Sequence, residues 1–225
     1  MKSDYLGILS SIKQDIERYE ISQINKPSLI VVTKSQSNED IEKIIEAGNK
    51  CLGENYVDEA IKKIDFFKKR SLEWHFIGKI QSNKIKKISK YFDWVQTISS
   101  IKHAKLLNQA CEGLSKKMNI CIQVNIDREQ SKSGILVEDL DNLIVNILPL
   151  NNLILRGLMA IPSKINALKE NINSYKILRA EYDRLSSKYI HMDTLSIGMS
   201  NDYKLALDNG SNMIRIGTLI FGNRK

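Results

Sequence analysis

The chain has 225 residues, 42% apolar and 27% charged, with only 11 glycines and 3 prolines. These proportions belong to a globular protein and exclude collagen-like, low-complexity and linker-dominated chains, and the length suits one large α/β core. The net charge of +8 comes mostly from lysines scattered along helical stretches with Glu and Asp between them, which describes solvated faces rather than a binding stripe.

Leu6, Leu9, Ile12, Ile16 and Tyr19 recur at helical spacing, so a leading helix is predicted within residues 3–19. Residues 28–33 are a continuous apolar and β-branched run, the pattern of a parallel strand buried on both faces. Asn38-Glu39-Asp40 opens a helix that runs through Ala47 and stops at Gly48. The unit then recurs. Strands at 51–53, 72–77, 94–97 and 119–126 are followed by helices at 57–69, from Ser82, at 101–112 and at 137–148. A strand at 153–158 precedes a long helix at 165–188, a short strand at 194–196 precedes a helix at 203–208, and the last strand is 213–216. Strands alternating with helices imply parallel crossovers. Eight of them predict one domain over 1–225, a single (β/α)8 TIM-type barrel with a leading N-terminal helix. Its ring is completed by a short closing helix or by the leading one. An open doubly wound sheet is the alternative, but no Gly-x-Gly-x-x-Gly follows the first strand.

Cys51, Cys111 and Cys121 form no Cys-x-x-Cys pair and cannot all pair internally, which suggests a reducing compartment. The N-terminal Met1-Lys2-Ser3-Asp4 leads into no signal-peptide core, and no apolar run nears the roughly 20 residues of a membrane span. A cytoplasmic location is expected. So is a monomer, since no long heptad or large apolar stripe is visible.

In a parallel barrel ligands sit at the C-terminal ends of the strands. Lys34 directly follows the first strand, so its amine should emerge at that mouth. A lysine partly removed from water is more readily neutral and able to form a Schiff base; a strand-end lysine that snorkels to solvent is the plainer alternative. Gly198-Met199-Ser200 and Gly217-Thr218 follow the last two strands, where barrels often bind phosphate through backbone N–H groups. Gly198 and Gly217 could equally make simple turns, with Ser200 capping the next helix. Arg215, inside an apolar strand, needs a partner: an internal carboxylate such as Glu54 or Asp127, or a ligand's heteroaromatic nitrogen. His75, flanked by Trp74 and Phe76, reads as a hydrogen-bonded core residue before a catalyst. No cluster has zinc spacing, and no nucleophile elbow or Walker A motif occurs. The basic stretches Lys62, Lys63, Lys68, Lys69, Arg70 and Lys79, Lys84, Lys86, Lys87, Lys90 lack interleaved aromatics, so they read as solvated helix faces and not as a nucleic-acid site.

At these residues the sequence resembles the pyridoxal phosphate homeostasis proteins, the YggS/PROSC family. The matching segments are VVTKSQS (31–37), LGENYVDEA (52–60), WHFIGKIQSNK (74–84), VNIDREQSKSGI (124–135), LRGLMAIP (155–162), LSIGMSND (195–202) and NGSNMIRIGTLIFGNR (209–224), which span essentially the whole chain. The resemblance implies a barrel like the N-terminal domain of bacterial alanine racemase that binds the vitamin B6 cofactor pyridoxal 5′-phosphate as a Schiff base on Lys34. Ser200, Gly217 and Thr218 would hold the phosphate with Met199 alongside, Arg215 would face the pyridine nitrogen, and Asn55 and His75 would line the ring or its surroundings. An arginine opposite that nitrogen leaves the ring a poor electron sink. Racemases of this fold add a base from a second domain, which this chain, ending at Lys225, is expected to lack. A carrier or buffer of the cofactor is therefore expected, exchanging with cofactor-dependent apoenzymes; an amino-acid racemase or lyase is the alternative. Two departures from the family pattern are Ser35-Gln36-Ser37, in place of a Thr-Lys-Pro-like segment, and Lys79, which puts a second amine near the mouth.

Overall fold

The computed structural model describes residues 5–20, 27–163 and 172–222. Eight parallel strands close into a barrel in sequence order: β1 (Ser28–Val32), β2 (Cys51–Glu54), β3 (Glu73–Phe76), β4 (Trp94–Ile98), β5 (Met118–Val124), β6 (Leu153–Ala160), β7 (Thr194–Ser196) and β8 (Met213–Ile216). Pairing of β1 with β8, Ile30 opposite Arg215, shuts the ring. The open-sheet alternative is thereby excluded. The helices between strands are α2 (Asn38–Glu46), α3 (Val57–Phe66), α4 (Ile85–Tyr91, after a 3-10 turn at Ser82–Lys84), α5 (Ile101–Glu112), α6 (Leu140–Ile147), α7 (Asn173–Ser186) and α8 (Tyr203–Asp208). The first part of the helix expected at 165–188 falls outside the described residues.

The leading helix α1 (Tyr5–Glu20) and the four-residue α9 (Thr218–Phe221) together finish the outer ring. Leu9, Ile12 and Ile16 of α1 are buried, the Tyr203 hydroxyl donates to Asp15 at 2.7 Å, and Tyr5 meets Phe221 edge-on at 5.4 Å. Fully burying each such aliphatic side chain is worth about 1.5–3 kcal/mol.

Because alternate strand residues face opposite ways, the core divides in two. A large cluster fills the space between strands and helices. A small one, Ile30, Trp94, Cys121, Met159 and Met213, sits inside the barrel. The remaining interior positions carry polar side chains, among them His75, Gln96, Ser196 and Arg215, all buried. No helix among the described residues is long and apolar enough to cross a membrane.

Candidate functional site

A cavity of about 500 Å³ opens at the C-terminal ends of the strands. Lys34, Asn55, Met199, Ser200, Arg215, Gly217 and Thr218 line it together with Val32, Gln36, Ile77, Ile161, Pro162, Asn201, Asp202, Phe221 and Gly222. Lys34 stands in the turn directly after β1 and is half-buried, as its sequence position implies. The peptide groups on either side of it are held by one buried ionic cluster. Lys63 of α3 donates to the Thr33 carbonyl at 2.6 Å, to Glu54 at 2.7 Å and to Glu59 at 2.6 Å. Glu59 in turn accepts from the Ser35 N–H at 2.5 Å, which holds Ser35 at a φ of 62°, an uncommon value for a residue with a side chain. Glu54 is fully buried and also accepts from the Thr33 hydroxyl at 2.7 Å. Burial pushes its carboxyl above the usual range, only partly opposed by Lys63. Lys63 is thus no solvated lysine: reading the basic stretch as a helix face missed that one member turns inward. Lys84 and Lys87 do fit that reading, pairing with exposed Asp58 at 2.6 and 2.7 Å.

The turns after β7 and β8 interlock. Gly198 has a φ of 104°, and a Cβ there would meet the Ala206 Cβ at 2.6 Å, so glycine is required. The Met199 N–H donates to Asp202 at 2.7 Å, and the other carboxylate oxygen of Asp202 accepts from the Tyr175 hydroxyl at 2.5 Å. Ser200 does not cap α8, whose N-cap position is Asp202; its hydroxyl accepts instead from the Leu219 N–H at 3.0 Å and ties the two turns together. Gly217 and Thr218 lie on the same rim.

Arg215 projects from β8 into the barrel and reaches this cavity from below. Its partners are neither Glu54 nor Asp127 but neutral oxygens: Ser196 Oγ at 2.6 Å and the Ala160 carbonyl at 2.9 Å. Burial pushes its pKa down to about 10, which still leaves a cation at neutral pH. Asn55 Oδ1 is buried with no hydrogen-bond partner among the described residues. His75 does not line the cavity. It is buried in the barrel, stacked on Trp94 at 5.2 Å and bonded to Glu73 at 2.7 Å and Gln96 at 3.0 Å, as the plainer sequence reading has it. Lys79 is exposed and lies outside the cavity lining. Of the residues that the sequence reading did not single out, Asp202 shapes the site most; the signal for it was a helix-capping residue type just ahead of an apolar run. Ligand atoms of Cys51, Glu73 and His75 come within 4.8 Å of one another, a grouping made by the register of β2 on β3 and so not visible as sequence spacing.

The cavity therefore offers a primary amine, a buried cation, an unpartnered carbonyl oxygen and two interlocked turns with hydroxyl groups. That set matches a planar ring bearing an aldehyde, a ring nitrogen and a phosphate. The family profile described as alanine racemase, N-terminal domain, matches residues 9–225. The chain is 40% identical over 224 residues to a pyridoxal phosphate homeostasis protein of Pasteurella multocida, covering 96% of both chains. It is 41% identical over 200 residues to the protein of the same name in Escherichia coli K12, covering 88% of this chain and 86% of the other. Among solved structures, PipY of Synechococcus elongatus with PLP bound superimposes with a TM-score of 0.84 at 29% identity, covering 97% of this chain and all (100%) of that one. Alanine racemase of Clostridium difficile shares the fold, with a TM-score of 0.71 at 14% identity over 96% of this chain and 57% of that one.

Proposed function

The chain belongs to the pyridoxal phosphate homeostasis proteins, built on the alanine racemase N-terminal domain, and on that premise we propose that it holds pyridoxal 5′-phosphate on Lys34 and keeps or passes on the cofactor rather than turning substrates over. The observation that carries this reading is the gathering of Lys34, Arg215 and the Ser200 and Gly217-Thr218 turns around one cavity. When bound, the cofactor supplies an aldehyde that joins a primary amine as a Schiff base, and a ring that can draw in electrons. Lys34 is the amine. The rim of Ser200, Gly217 and Thr218 takes the phosphate, where backbone N–H groups and hydroxyls favour an anion. Arg215 stays charged and can only donate, so it meets the ring nitrogen without giving up a proton. Asn55 lines the same cavity, and its Oδ1, unpartnered among the described residues, can accept from the cofactor's ring hydroxyl.

Weak turnover follows from the same residues. Two-base racemisation places a proton-exchanging group on each face of the substrate carbon. Among the described lining residues, the titratable side chains besides Lys34 are Arg215 and Asp202, and the Asp202 carboxylate is taken by Met199 N–H and Tyr175. The three free cysteines agree with a reducing, cytoplasmic compartment.

The test is an absorption spectrum after incubation with pyridoxal 5′-phosphate. The wild type should acquire a visible band that borohydride abolishes and traps as a covalent adduct, and Lys34→Ala should acquire none. A wild type that gains no band sinks the reading. Solvent deuterium entering the α-carbon of amino acids faster than with free cofactor would replace the carrier by an enzyme.

A further inference from the structure

Arg215 ends a run of hydrogen bonds that crosses the barrel interior. Its Nη1 donates to Ser196 Oγ at 2.6 Å. Ser196 Oγ lies 2.7 Å from Gln96 Oε1, Gln96 Nε2 lies 3.0 Å from His75 Nδ1, and His75 Nε2 lies 2.7 Å from Glu73 Oε1. Arg215, Ser196, Gln96 and His75 are buried, whereas the Glu73 side chain, at the start of β3, is 44% exposed. The run joins the cavity to the opposite, N-terminal end of the barrel.

Its ends give it one direction. A guanidinium only donates and a carboxylate only accepts. Ser196 accepts from Arg215, so its own proton goes to Gln96 Oε1. The Gln96 amide then donates to His75 Nδ1, which places the imidazole proton on Nε2, facing Glu73. The hydrogen bond from His75 holds the Glu73 carboxyl below its usual range, which keeps the accepting end charged.

We propose that this chain positions Arg215 for the cofactor, so that His75 and Glu73, although outside the cavity, set how the guanidinium is presented to the ligand. The proposal rests on the cofactor reading above. The guanidinium is held by two neutral oxygens, Ser196 Oγ and the Ala160 carbonyl. If the chain is cut at His75, the Gln96 amide nitrogen keeps only its weak contact with Met213 Sδ at 3.2 Å, and the amide can turn over. Its N–H groups then compete with Arg215 for Ser196 Oγ, and the serine proton loses its acceptor. In a low-dielectric interior each such mismatch is costly, and the guanidinium is the member that moves.

Two measurements test this. In the cofactor-free protein, ¹⁵N NMR of the histidine side chains should show His75 protonated on Nε2 and bare on Nδ1; a proton on Nδ1 overturns the assigned direction. In the loaded protein, His75→Leu and Ser196→Ala, which cut the chain at different points, should each shift the visible band and release cofactor about tenfold faster, the loss typical of a hydrogen bond to a charged group. His75→Gln, whose amide can accept from Gln96 and donate to Glu73, should restore the wild-type band and rate, an outcome that packing alone would not give. Folded Ser196→Ala with wild-type band and release rate overturns the proposal, whether or not His75→Leu folds. Failure of the wild type itself to load would count against the cofactor reading, while the NMR result judges the chain alone.

Discussion

At the scale of single residues, the sequence placed Lys34 at the strand-end mouth but could not separate an inward amine from one that snorkels to solvent; the structure puts it half-buried in the cavity lining. The inward turn of Lys63 was not legible. Helical periodicity places it beside Lys62 on the same short stretch, and nothing local says that Glu54, at the end of the preceding strand, lies opposite. The structure makes its removal a sharp test. Lys63 is 5% and Glu54 0% exposed, so Lys63→Met leaves a buried carboxylate without its cation, a loss of about 3–5 kcal/mol. A carboxyl whose folded pKa is raised binds its proton more tightly in the fold than in the unfolded chain, so stability falls as pH rises between the two values. The variant should therefore regain stability when taken from about pH 7 to about pH 5, and adding Glu54→Gln should recover most of the loss. Urea unfolding at both pH values measures this; a Lys63→Met protein as stable as wild type at neutral pH would refute it.

At the scale of elements, the order and kind of every strand were readable from alternating strand and helix periods, whereas their ends and registers were not. The third strand is shorter than the run read for it, and the sixth extends to Ala160, where it still pairs with Val124 of β5 after a register shift between Ile120 and Cys121. Such offsets depend on neighbours far away in sequence. So does the contact between the end of β3 and the site: a Cβ on Gly78 would stand 2.0 Å from the Asn55 carbonyl. Gly78→Ala should push the end of β2 outward, cost about 1–3 kcal/mol, and weaken cofactor retention by moving Asn55. By contrast, Gly113 ends α5 in an ordinary helical conformation, and a Cβ added there would have its nearest neighbour at 3.9 Å. Gly113→Ala should be neutral or stabilise by up to about 1 kcal/mol. Thermal unfolding and the visible band separate the two variants.

At the scale of the molecule, closure of eight strands followed from the count of repeats, but the part played by α1 in finishing the ring needed the packing of Tyr5 on Phe221 and of Asp15 on Tyr203. Because Phe221 also lines the cavity, site and outer wall share one stability. Cofactor at about 100 times its dissociation constant should stabilise the fold by about 2.7 kcal/mol, raising Tm by roughly 5–10 °C for a chain of this size. Lys34→Ala should show a smaller rise that inorganic phosphate partly reproduces.

The turns proposed to receive the phosphate are already locked to each other, through Ser200 to Leu219 and Asp202 to Met199 and Tyr175. Docking there has little loop entropy left to lose, and departure waits on no rearrangement of those turns. On the proposed reading, a depot built this way would empty at the pace at which the bond to Lys34 is exchanged, whether for water or for an incoming amine that takes over the aldehyde carbon, without the protein changing shape.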